Sequence, residues 1–364
     1  MTGYSDMSKL RLAVIFGGAS SEHEVSLMSA ASVFSNLSGD KYEVLPVGIT
    51  KKGQWLYYPG SIDDISSGKW EKNPDCVPAV ISPDRAVGGL ILMPPGKDLL
   101  VRKVDVVFPM LHGKYGEDGT IQGLIELAGI PCVGAGTLSS AVCMDKEVAN
   151  SLFDGAGIPR APWGVIRLRD IERFDDYADE WEKKFGYPMF IKPANAGSSV
   201  GVSKVGGRSS LREAVNLAFT HDRKVIAEKA VAGKELECAV LGNDNPFASE
   251  ISEILPTNEF YDYDAKYSTP SETILPADIS HKLRDSIKKT AVRAYGLLEC
   301  SGMARVDFLY EVSTDILFIN EINTIPGFTS ISMYAKMMDA SGINYPRLLE
   351  KLIDLALEKH ASIY

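Results

Sequence analysis

Three oxygen-bearing side chains near the C-terminus have the types and the spacing to bind a divalent cation. In the apolar segment LFINEIN (317–323), Glu321 and Asn323 stand two residues apart, so a strand would turn both to one face. Asp307 lies in the preceding strand-like segment MARVDFL, and a hairpin through EVSTD would bring the two segments side by side. Carboxylate and amide oxygens suit Mg2+ or Mn2+ beside nucleotide phosphates. The alternative is that these side chains form the solvated face of an edge strand.

Two further positions near this face could stabilise negative charge. Arg305 precedes Asp307 by two residues, so the same periodicity places its guanidinium on the same face. A fixed guanidinium beside a metal–phosphate site can stabilise developing charge, although a salt bridge to Glu321 is an alternative and compatible role. After the second strand, TIPGFTS turns sharply, and Gly327 lets backbone N–H groups approach an anion closely.

The candidate nucleotide ligands are lysines, because a nucleotide needs positive charge beside its phosphates. The chain has no G-x-x-x-x-G-K-[ST] motif, so it is not expected to be a P-loop enzyme. Lys192 ends a strand-like segment just before PANAGSSVG, a loop of small residues suited to lying over phosphates. Lys146 in CMDKE and Lys266 in YDYDAKY are further candidates, although each could equally be a surface lysine. The segment AEKAVAGKE has the acidic and apolar strand end expected where adenine and a ribose bind.

Two acid–base residues follow strand-like segments in the N-terminal third. Glu22 in FGGASSEHEVS stands where a strand gives way to a helix, so it could bind an ammonium group or act as a first-turn helix carboxylate. His112 in LHGKYGEDGTIQG lies among glycines at a strand end, where ligands bind in open α/β sheets, although a lone histidine is often structural. Neither segment contains G-x-G-x-x-G, so a dinucleotide-binding dehydrogenase is not supported.

The elements that must position these side chains are typical of an α/β protein. Strands such as LRLAVIFGG, VDVVFPML and IPCVGAG alternate with helical segments over the first third, which predicts a parallel, helix-covered sheet. One helix, SSAVCMDKEVANSLFDGAG, leads into a second α/β unit, and two long helices are predicted at about 278–296 and 342–360. Residues 54–100, rich in Gly, Pro and Asp, are expected to be an elaborated surface region. The predicted domains are residues 1–145, 146–230 and 231–364.

The composition excludes some classes of protein and indicates a cellular compartment. The net charge of −10 argues against a nucleic-acid partner, and no apolar run approaches the length of a membrane span. The five cysteines are scattered and form no C-x-x-C pair, which favours reduced thiols in a cytoplasmic protein. The polar segment MTGYSDMSKL is not expected to act as a signal peptide.

Seven motifs in this chain resemble, in the same order, those of the D-alanine–D-alanine ligases of the ATP-grasp superfamily. They are FGGASSEHEVSLMSA, LHGKYGEDGTIQG, CMDK, IKPANAGSSVGVSKV, EFYDYDAKY, MARVDFL and NEINTIPGFTSISMY. The resemblance covers nearly the whole chain and is weakest over residues 54–100. It implies a three-domain ATP-grasp architecture in which the N-terminal domain is a parallel-sheet domain of the pre-ATP-grasp type.

The resemblance implies that ATP binds between the central and C-terminal domains together with two Mg2+ or Mn2+ ions. The metal-binding positions that it implies are Asp307, Glu321 and Asn323. The positions that match the family's ATP-binding residues are Lys146, Lys192, Ser198, Ser199, Glu228, Lys229, Val231, Glu235, Lys266 and Asn323.

The resemblance also implies the reaction. The carboxylate of one D-alanine attacks the γ-phosphate of ATP, and the amine of a second D-alanine then attacks the resulting acyl phosphate. Glu22 would hold the first ammonium group, and Arg305 and the Gly327 N–H would stabilise the oxyanion. Ser332 would bind the second carboxylate beside Met333. The remaining implied catalytic positions are His112, Ser198 and Tyr267, the last two hydrogen-bonding with Glu22 as YDYDAKY closes and excludes water.

The choice of second substrate is left open between closely related products. Tyr267 follows Lys266 as in family members that make D-Ala–D-Ala, whereas SISMY around Ser332 differs from the S-H-S-L of many members. The expected product is therefore D-Ala–D-Ala for peptidoglycan, made by a homodimer, with a D-Ala–D-Ser or D-Ala–D-Lac ligase as the alternative. A non-catalytic sensor on the same fold would have no use for the complete set of acyl-phosphate residues.

Overall fold

The computed structural model describes residues 9–255 and 272–363 and contains two compact units. One unit comprises Met1–Thr137 with Gly327–Tyr364, and the other comprises Leu138–Pro326. The strands are β1 (Leu10–Gly17), β2 (Tyr42–Ile49), β3 (Trp55–Tyr57), β4 (Val77–Ile81), β5 (Gly89–Leu92), β6 (Leu100–Lys103), β7 (Val106–Met110), β8 (Trp163–Arg167), β9 (Met189–Pro193), β10 (Ser203–Val205), β11 (Lys224–Lys229), β12 (Lys234–Gly242), β13 (Phe247–Leu255), β14 (Glu272–Ile274), β15 (Gly302–Glu311) and β16 (Ile316–Asn323).

The α-helices in these ranges include both long helices predicted near the C-terminus. They are α1 (His23–Asn36), α2 (Ile62–Ser66), α3 (Thr120–Leu127), α4 (Thr137–Met144), α5 (Lys146–Gly155), α6 (Phe174–Lys184), α7 (Arg208–Phe219), α8 (His281–Leu297), α9 (Met333–Ala340) and α10 (Tyr345–Ile363). Over the described part of the chain, no helix combines the length and the apolar character needed to cross a membrane.

The first unit is built on a seven-stranded sheet in the order β6-β5-β4-β3-β2-β1-β7. The parallel arrangement predicted from the sequence is correct for β2, β1 and β7, and the strands from β2 to β6 pair antiparallel. β1 is almost wholly buried, as expected for a strand between two parallel neighbours. The predicted strand IPCVGAG is wrong, because this segment makes only an isolated bridge between Val107 and Cys132.

Residues 54–100 are more than the elaborated surface region that their composition predicts. They supply β3, β4, β5 and the start of β6, and they bury the rings of Tyr58 and Trp70 completely. A Cβ built on Gly48 would overlap the Trp70 ring, so the glycine in β2 makes room for this side chain. The region therefore contributes to the core of the first unit.

The second unit contains two antiparallel sheets, in the orders β10-β9-β11-β8 and β14-β13-β12-β15-β16. Helices α6 and α7 cover the first sheet, and α8 covers the second with Ile287, Ala291 and Tyr295 in its core. The helix predicted over SSAVCMDKEVANSLFDGAG is interrupted at Asp145, whose extended backbone ends α4 and whose carboxylate accepts hydrogen bonds from the backbone N–H groups of Glu147 and Val148 in the first turn of α5. The division into three domains at residues 145 and 230 stays a prediction.

Candidate active site

The second unit presents the predicted metal-binding side chains on one face of a strand pair. β15 and β16 pair antiparallel, with Arg305 opposite Asn323 and Asp307 opposite Glu321. These four side chains therefore form two adjacent cross-strand pairs, as the period of two in the sequence predicts. The register shifts between Asp307 and Phe308, so that Asn320 is an extra residue in β16.

Arg305 is held between two carboxylates. Its Nε and Nη2 donate to the two oxygens of Asp307, each at 2.7 Å, and Nε also lies 3.1 Å from Glu237 Oε1. Burial would lower the pKa of Arg305, but the charges of Asp307 and Glu237 outweigh it and raise this pKa well above its ordinary value. The charge of Glu321 also raises this pKa, so the guanidinium lies among three carboxylates. The guanidinium is permanently positive, as a charge-stabilising group must be.

The donor set on this face fits a hard divalent cation. Asp307 and Glu321 supply carboxylate oxygens, and Asn323 adds an amide oxygen while its Nδ2 donates to Asp307 Oδ2 at 2.9 Å. Within residues 9–255 and 272–363, no group of three or more His, Cys, Asp or Glu side chains is arranged to hold a metal ion. The fit therefore depends on two carboxylates and an amide, with water and phosphate oxygens to complete the shell.

Lys146 is positioned next to these carboxylates by the start of α5. Its backbone N–H donates to Ala194 O at 3.0 Å, and its Nζ donates to Ala196 O at 2.8 Å. The same Nζ lies 3.8 Å from Glu321 Oε2. The lysine thus links the PANAGSSVG loop to the metal-binding face. A phosphate-binding lysine is expected at such a position, between an anion-binding loop and a metal site.

Lys192 and Glu228 form a buried ion pair on neighbouring strands β9 and β11. Lys192 Nζ donates to Glu228 Oε2, and the two side chains are only 16% and 8% exposed. Burial lowers the pKa of Lys192, but the charge and hydrogen bond of Glu228 outweigh this effect, with smaller contributions from Glu321 and Glu235. The pKa is therefore raised above its ordinary value. Lys192 therefore stays charged in a partly desolvated site, which suits contact with phosphate.

The loop after Lys192 has an unusual backbone. Ser198 and Ser199 have φ values of 49° and 59°, in the left-handed region that non-glycine residues seldom adopt. Backbone hydrogen bonds from Val200 to Gly197 O and from Val202 to Ser199 O close the turn. A tight backbone turn of this kind can direct N–H groups at an anion.

The candidate adenine and ribose residues continue from the end of β11 into β12. Lys229 donates its backbone N–H to Pro162 O at 2.9 Å, and its Nζ lies 3.8 Å from Glu311 Oε1. Val231 is half-buried in the connection, and Glu235 is half-buried in β12 opposite Leu309. The second unit thus brings together the predicted metal ligands, Lys146, Lys192 and Glu228. Lys266 and Tyr267 lie outside the described residues.

In the first unit, Glu22 and His112 follow the carboxyl ends of the adjacent parallel strands β1 and β7. Glu22 is the buried residue before α1, and a Cβ built on Gly113 would overlap its Oε2. Gly113 has φ of 71°, so both its backbone and its lack of a side chain suit this position. The strand order therefore brings the two predicted residues to one edge of the sheet.

His112 is buried and its ring is contacted on both nitrogens. Nε2 lies 2.9 Å from Ser29 Oγ, and Nδ1 lies 3.9 Å from Glu117 Oε1. Glu117 Oε1 also accepts a hydrogen bond from Gly113 N–H at 2.9 Å. These contacts fix the ring against α1, so the histidine has a structural role beside any role in proton transfer.

The C-terminal turn of the first unit carries Gly327, Ser332 and Met333. Ser332 precedes α9, and its Oγ accepts a hydrogen bond from Thr329 N–H at 3.0 Å and lies 2.7 Å from Thr329 Oγ1. The turn is anchored by Phe328, whose buried ring packs on Phe108 and whose carbonyl accepts from Tyr345 Oη at 2.7 Å. Met333 is half-buried at the start of α9.

Sequence reasoning missed the residues that hold the predicted ones in place. Glu237 pairs with Arg305, and Ser29 and Glu117 flank His112. The alternation of Glu235 and Glu237 in KELECAV places both on one face of a strand and was a usable signal. The partner of Glu237 could not be predicted, because the pairing of β12 with β15 joins segments that are far apart in the sequence.

Comparison with known proteins identifies the family of this chain. The family model described as D-ala D-ala ligase N-terminus matches residues 11–135, and the one described as D-ala D-ala ligase C-terminus matches residues 152–354. The D-alanine–D-alanine ligase of Caldicellulosiruptor bescii is 49% identical over 97% of this chain and 97% of its own length. The D-alanine–D-alanine ligase of Acetivibrio thermocellus is 50% identical with the same coverage of both chains, 97%.

Two solved structures are similar over almost the entire chain. The VanG D-Ala:D-Ser ligase from Enterococcus faecalis has a TM-score of 0.87 and 43% identity, covering 96% of this chain and 100% of its own. The D-alanine–D-alanine ligase from Coxiella burnetii has a TM-score of 0.85 and 35% identity, covering 98% of this chain and 96% of its own. The fold is thus that of an ATP-grasp ligase. Within that class, the chain belongs to the D-alanine–D-alanine ligase family.

Proposed function

We propose that this protein joins two D-alanine molecules into D-alanyl-D-alanine while converting ATP to ADP and phosphate, as a carbon–nitrogen ligase of peptidoglycan precursor synthesis. One structural observation carries the proposal within this family. Arg305 and Asp307 face Asn323 and Glu321 across β15 and β16, with Lys146 Nζ 3.8 Å from Glu321. This face combines oxygen ligands for a cation with fixed positive charge for phosphate and an oxyanion.

The first proposed step forms an acyl phosphate. The carboxylate of the first D-alanine attacks the γ-phosphate of ATP, and ADP leaves. Lys146 and Lys192 bind the phosphate oxygens and offset their charge, which otherwise repels the incoming carboxylate. Ser198 and Ser199 offer backbone N–H groups in an anion-binding conformation, and Glu228, Lys229, Val231 and Glu235 form the adenine and ribose site.

The proposed metal ligands are Asp307, Glu321 and Asn323. Bound Mg2+ or Mn2+ would neutralise phosphate charge and orient the γ-phosphate. The reaction needs this charge compensation because a carboxylate and a triphosphate are both anions at neutral pH. We place the reaction in the cytoplasm.

The second proposed step forms the peptide bond. The amine of the second D-alanine attacks the acyl carbonyl, and phosphate leaves from a tetrahedral intermediate. Arg305 stabilises the oxyanion by its charge, and the Gly327 N–H donates to it. Glu22 holds the ammonium of the first D-alanine, Ser332 binds the carboxylate of the second, and Met333 borders its side chain. His112 lies beside the Glu22 loop and orients that part of the substrate site.

A second candidate is ligation of D-alanine to D-serine on the same residues. The observation that favours it is the similarity to a D-Ala:D-Ser ligase, 43% identical over 96% of this chain. D-Serine differs from D-alanine by one hydroxyl group, and an apolar pocket rejects such an addition by only about 100-fold. We favour D-alanine because relatives at 49% and 50% identity are named for that product.

The test is a competition assay on the purified protein. The enzyme is incubated with ATP, MgCl2 and D-alanine, alone and with equal D-serine or D-lactate, and the products are identified by mass. We expect D-alanyl-D-alanine to dominate in every mixture and one phosphate to be released per dipeptide. Matched reactions that lack ATP, or in which L-alanine replaces D-alanine, should give no dipeptide. A dominant mixed product would overturn the specificity, and absence of phosphate release in all mixtures would overturn the ligase assignment.

We also propose that the protein is a homodimer, as the family resemblance implies. Sedimentation equilibrium at micromolar concentration should give twice the chain mass of 39.6 kDa. A species with the mass of one chain over the whole concentration range would contradict this.

A further inference from the structure

One guanidinium in the second unit contacts two carboxylates, of which one is a proposed metal ligand and the other is not. Arg305 donates from Nε and Nη2 to the two oxygens of Asp307 at 2.7 Å each, and Nε lies 3.1 Å from Glu237 Oε1. All three side chains are largely buried, with exposures of 14% for Arg305, 14% for Asp307 and 7% for Glu237. Hydrogen bonds between buried charged groups are strong and directional, so the orientation of Arg305 depends on both partners.

Binding a cation would weaken the contacts that Asp307 makes with Arg305. Its two oxygens already accept from Arg305, and Oδ2 also accepts from Asn323 Nδ2 at 2.9 Å. A divalent cation on Asp307 would compete for these oxygens and would repel the guanidinium, because like charges a few ångströms apart repel strongly in a partly buried site. Asp307 then holds Arg305 less strongly.

Glu237 lies where it can hold Arg305 through this change. It is in β12, directly opposite Asp307 in the pairing of β12 with β15, whereas Glu321 is opposite Asp307 on the other side in β16. Glu237 is thus one strand away from the pair of strands that carries the proposed metal ligands. We propose that Glu237 is a positioning residue for the ligase reaction, because it keeps Arg305 directed at the reacting carboxyl group while Asp307 binds the cation. This inference rests on the proposed function.

The first test is the variant Glu237→Gln, which preserves the shape and one acceptor oxygen but removes the charge. We expect kcat to fall about 10- to 100-fold, the usual effect of removing one charged hydrogen-bond partner, with the KM for ATP little changed. The matched control is Glu253→Gln. Glu253 is an equally buried carboxylate in the same sheet, but it pairs with Lys234 at 2.8 Å. It should leave kcat within about twofold, as expected for a site with no link to the reaction.

The second test asks whether Glu237 acts through Arg305. Glu237→Gln is introduced into Arg305→Ala, and residual product is measured by mass after long incubation. If the glutamate works only by positioning the guanidinium, it should have almost no further effect once Arg305 is absent. A loss of the same size in both backgrounds would contradict the proposal, since it would show that Glu237 acts independently of Arg305.

A binding measurement gives a readout that does not depend on turnover. Mn2+ affinity is measured by the electron paramagnetic resonance of free Mn2+, with ATP present and D-alanine omitted. In Glu237→Gln we expect affinity to fall several-fold, because Arg305 then relies on Asp307 alone and competes with the ion; adding Arg305→Ala should restore it. A loss that persists in the double variant would identify Glu237 as a metal ligand and overturn the positioning role.

The outcomes separate this inference from the proposed function. If the wild-type protein makes no dipeptide, the function fails, and the Mn2+ measurements still report on Glu237. If it makes the dipeptide and Glu237→Gln matches it in kcat and Mn2+ affinity, only the inference fails. Should Glu237→Gln not fold by circular dichroism, Glu237→Asp retains the charge and shortens the reach. Glu237→Asp should then reduce kcat in the wild-type background and have almost no effect in the Arg305→Ala background.

Discussion

Gly113 and Glu22 pack so closely that a Cβ built on Gly113 would overlap Glu22 Oε2. The glycine also has φ of 71°, a conformation that costs a residue with a side chain free energy. The buried carboxylate therefore occupies space that only a glycine at position 113 leaves open. A substitution at Gly113 should disturb the proposed ammonium-binding group without removing it.

The variant Gly113→Ala tests this placement. We expect kcat/KM for D-alanine to fall by about 100-fold or more, because a displacement of about 1 Å can cost that much, while ATP binding stays intact. The control is Gly96→Ala, which has nearly the same φ, 70°, and no heavy atom near the built Cβ. Both variants should lose about 1 kcal/mol of unfolding free energy from backbone strain, measured by urea denaturation. Equal D-alanine kinetics in the two variants would show that Glu22 does not bind substrate.

The buried pair of Lys192 and Glu228 predicts a link between stability and nucleotide binding. Glu228→Gln leaves the Lys192 charge without its partner, so we expect a loss of about 3 kcal/mol in unfolding free energy and a raised KM for ATP. Glu253→Gln, which removes a buried carboxylate from Lys234, should destabilise the protein but leave the KM for ATP unchanged. An unchanged KM in Glu228→Gln would argue against Lys192 as a phosphate ligand.

The same pair has a defined pH signature. The folded protein raises the pKa of Lys192 above its ordinary value of 10.5, so the stability that the lysine contributes is complete below that pH and is lost as pH rises through the folded pKa. Removing Glu228 takes away the groups' mutual attraction and leaves burial, which lowers the pKa. The difference in unfolding free energy between wild type and Glu228→Gln should therefore be largest near neutral pH and should shrink as pH rises through the folded pKa of Lys192 in each protein.

Metal dependence provides a further prediction. Chelation with excess EDTA should abolish dipeptide formation, and added MgCl2 or MnCl2 should restore it, because the proposed site has only oxygen ligands. Asp307→Asn should raise the MgCl2 concentration for half-maximal rate by about tenfold or more, the scale of losing one charged ligand contact. Asp315→Asn, in the exposed turn of the same hairpin, should not change it. Full activity after chelation would contradict the metal site.

The parts of the site that sequence predicts are those set by local periodicity. Alternation in MARVDFL put Arg305 and Asp307 on one side of their strand, alternation in LFINEIN did the same for Glu321 and Asn323, and the hairpin brought all four to the same face of the sheet. What local pattern could not give was register. Ile319 and Ile322 are both buried although they are three residues apart, because the extra residue at the shift in β16 breaks the alternation.

Long-range contacts account for the remaining differences. The pairing of Glu237 with Arg305 depends on which strand lies next to β15, and the burial of Trp70 depends on a glycine in β2. In both cases the partner is distant in the sequence. For this reason the composition of residues 54–100 predicted only a surface region. Conversely, the break at Asp145 had a local cause that was visible, since an aspartate before a helical run is a frequent N-cap.

The last prediction concerns Tyr345, which holds the proposed substrate-binding turn in place. Its Oη donates to Phe328 O at 2.7 Å, and burial raises its pKa to about 12. Because the unfolded value is about 10, the stability that the protonated phenol contributes is complete below pH 10 and is lost as pH rises from 10 to 12. Tyr345→Phe should cost about 1 kcal/mol at pH 8, since the Phe328 carbonyl loses its donor, and should flatten the decline above pH 10.

Urea denaturation at pH 8, 9.5 and 11, with D-alanine kinetics at pH 8, tests this prediction against Tyr42→Phe. Tyr42 is also buried with its pKa raised to about 12, but it is in β2 and leaves the Phe328 bond intact. Both variants should flatten the alkaline decline, because each removes a buried phenol that would ionise there. Only Tyr345→Phe should raise the KM for D-alanine, because only it loosens the turn that carries Gly327 and Ser332. A raised KM in both variants, or in neither, would show that this hydrogen bond does not position the turn for substrate.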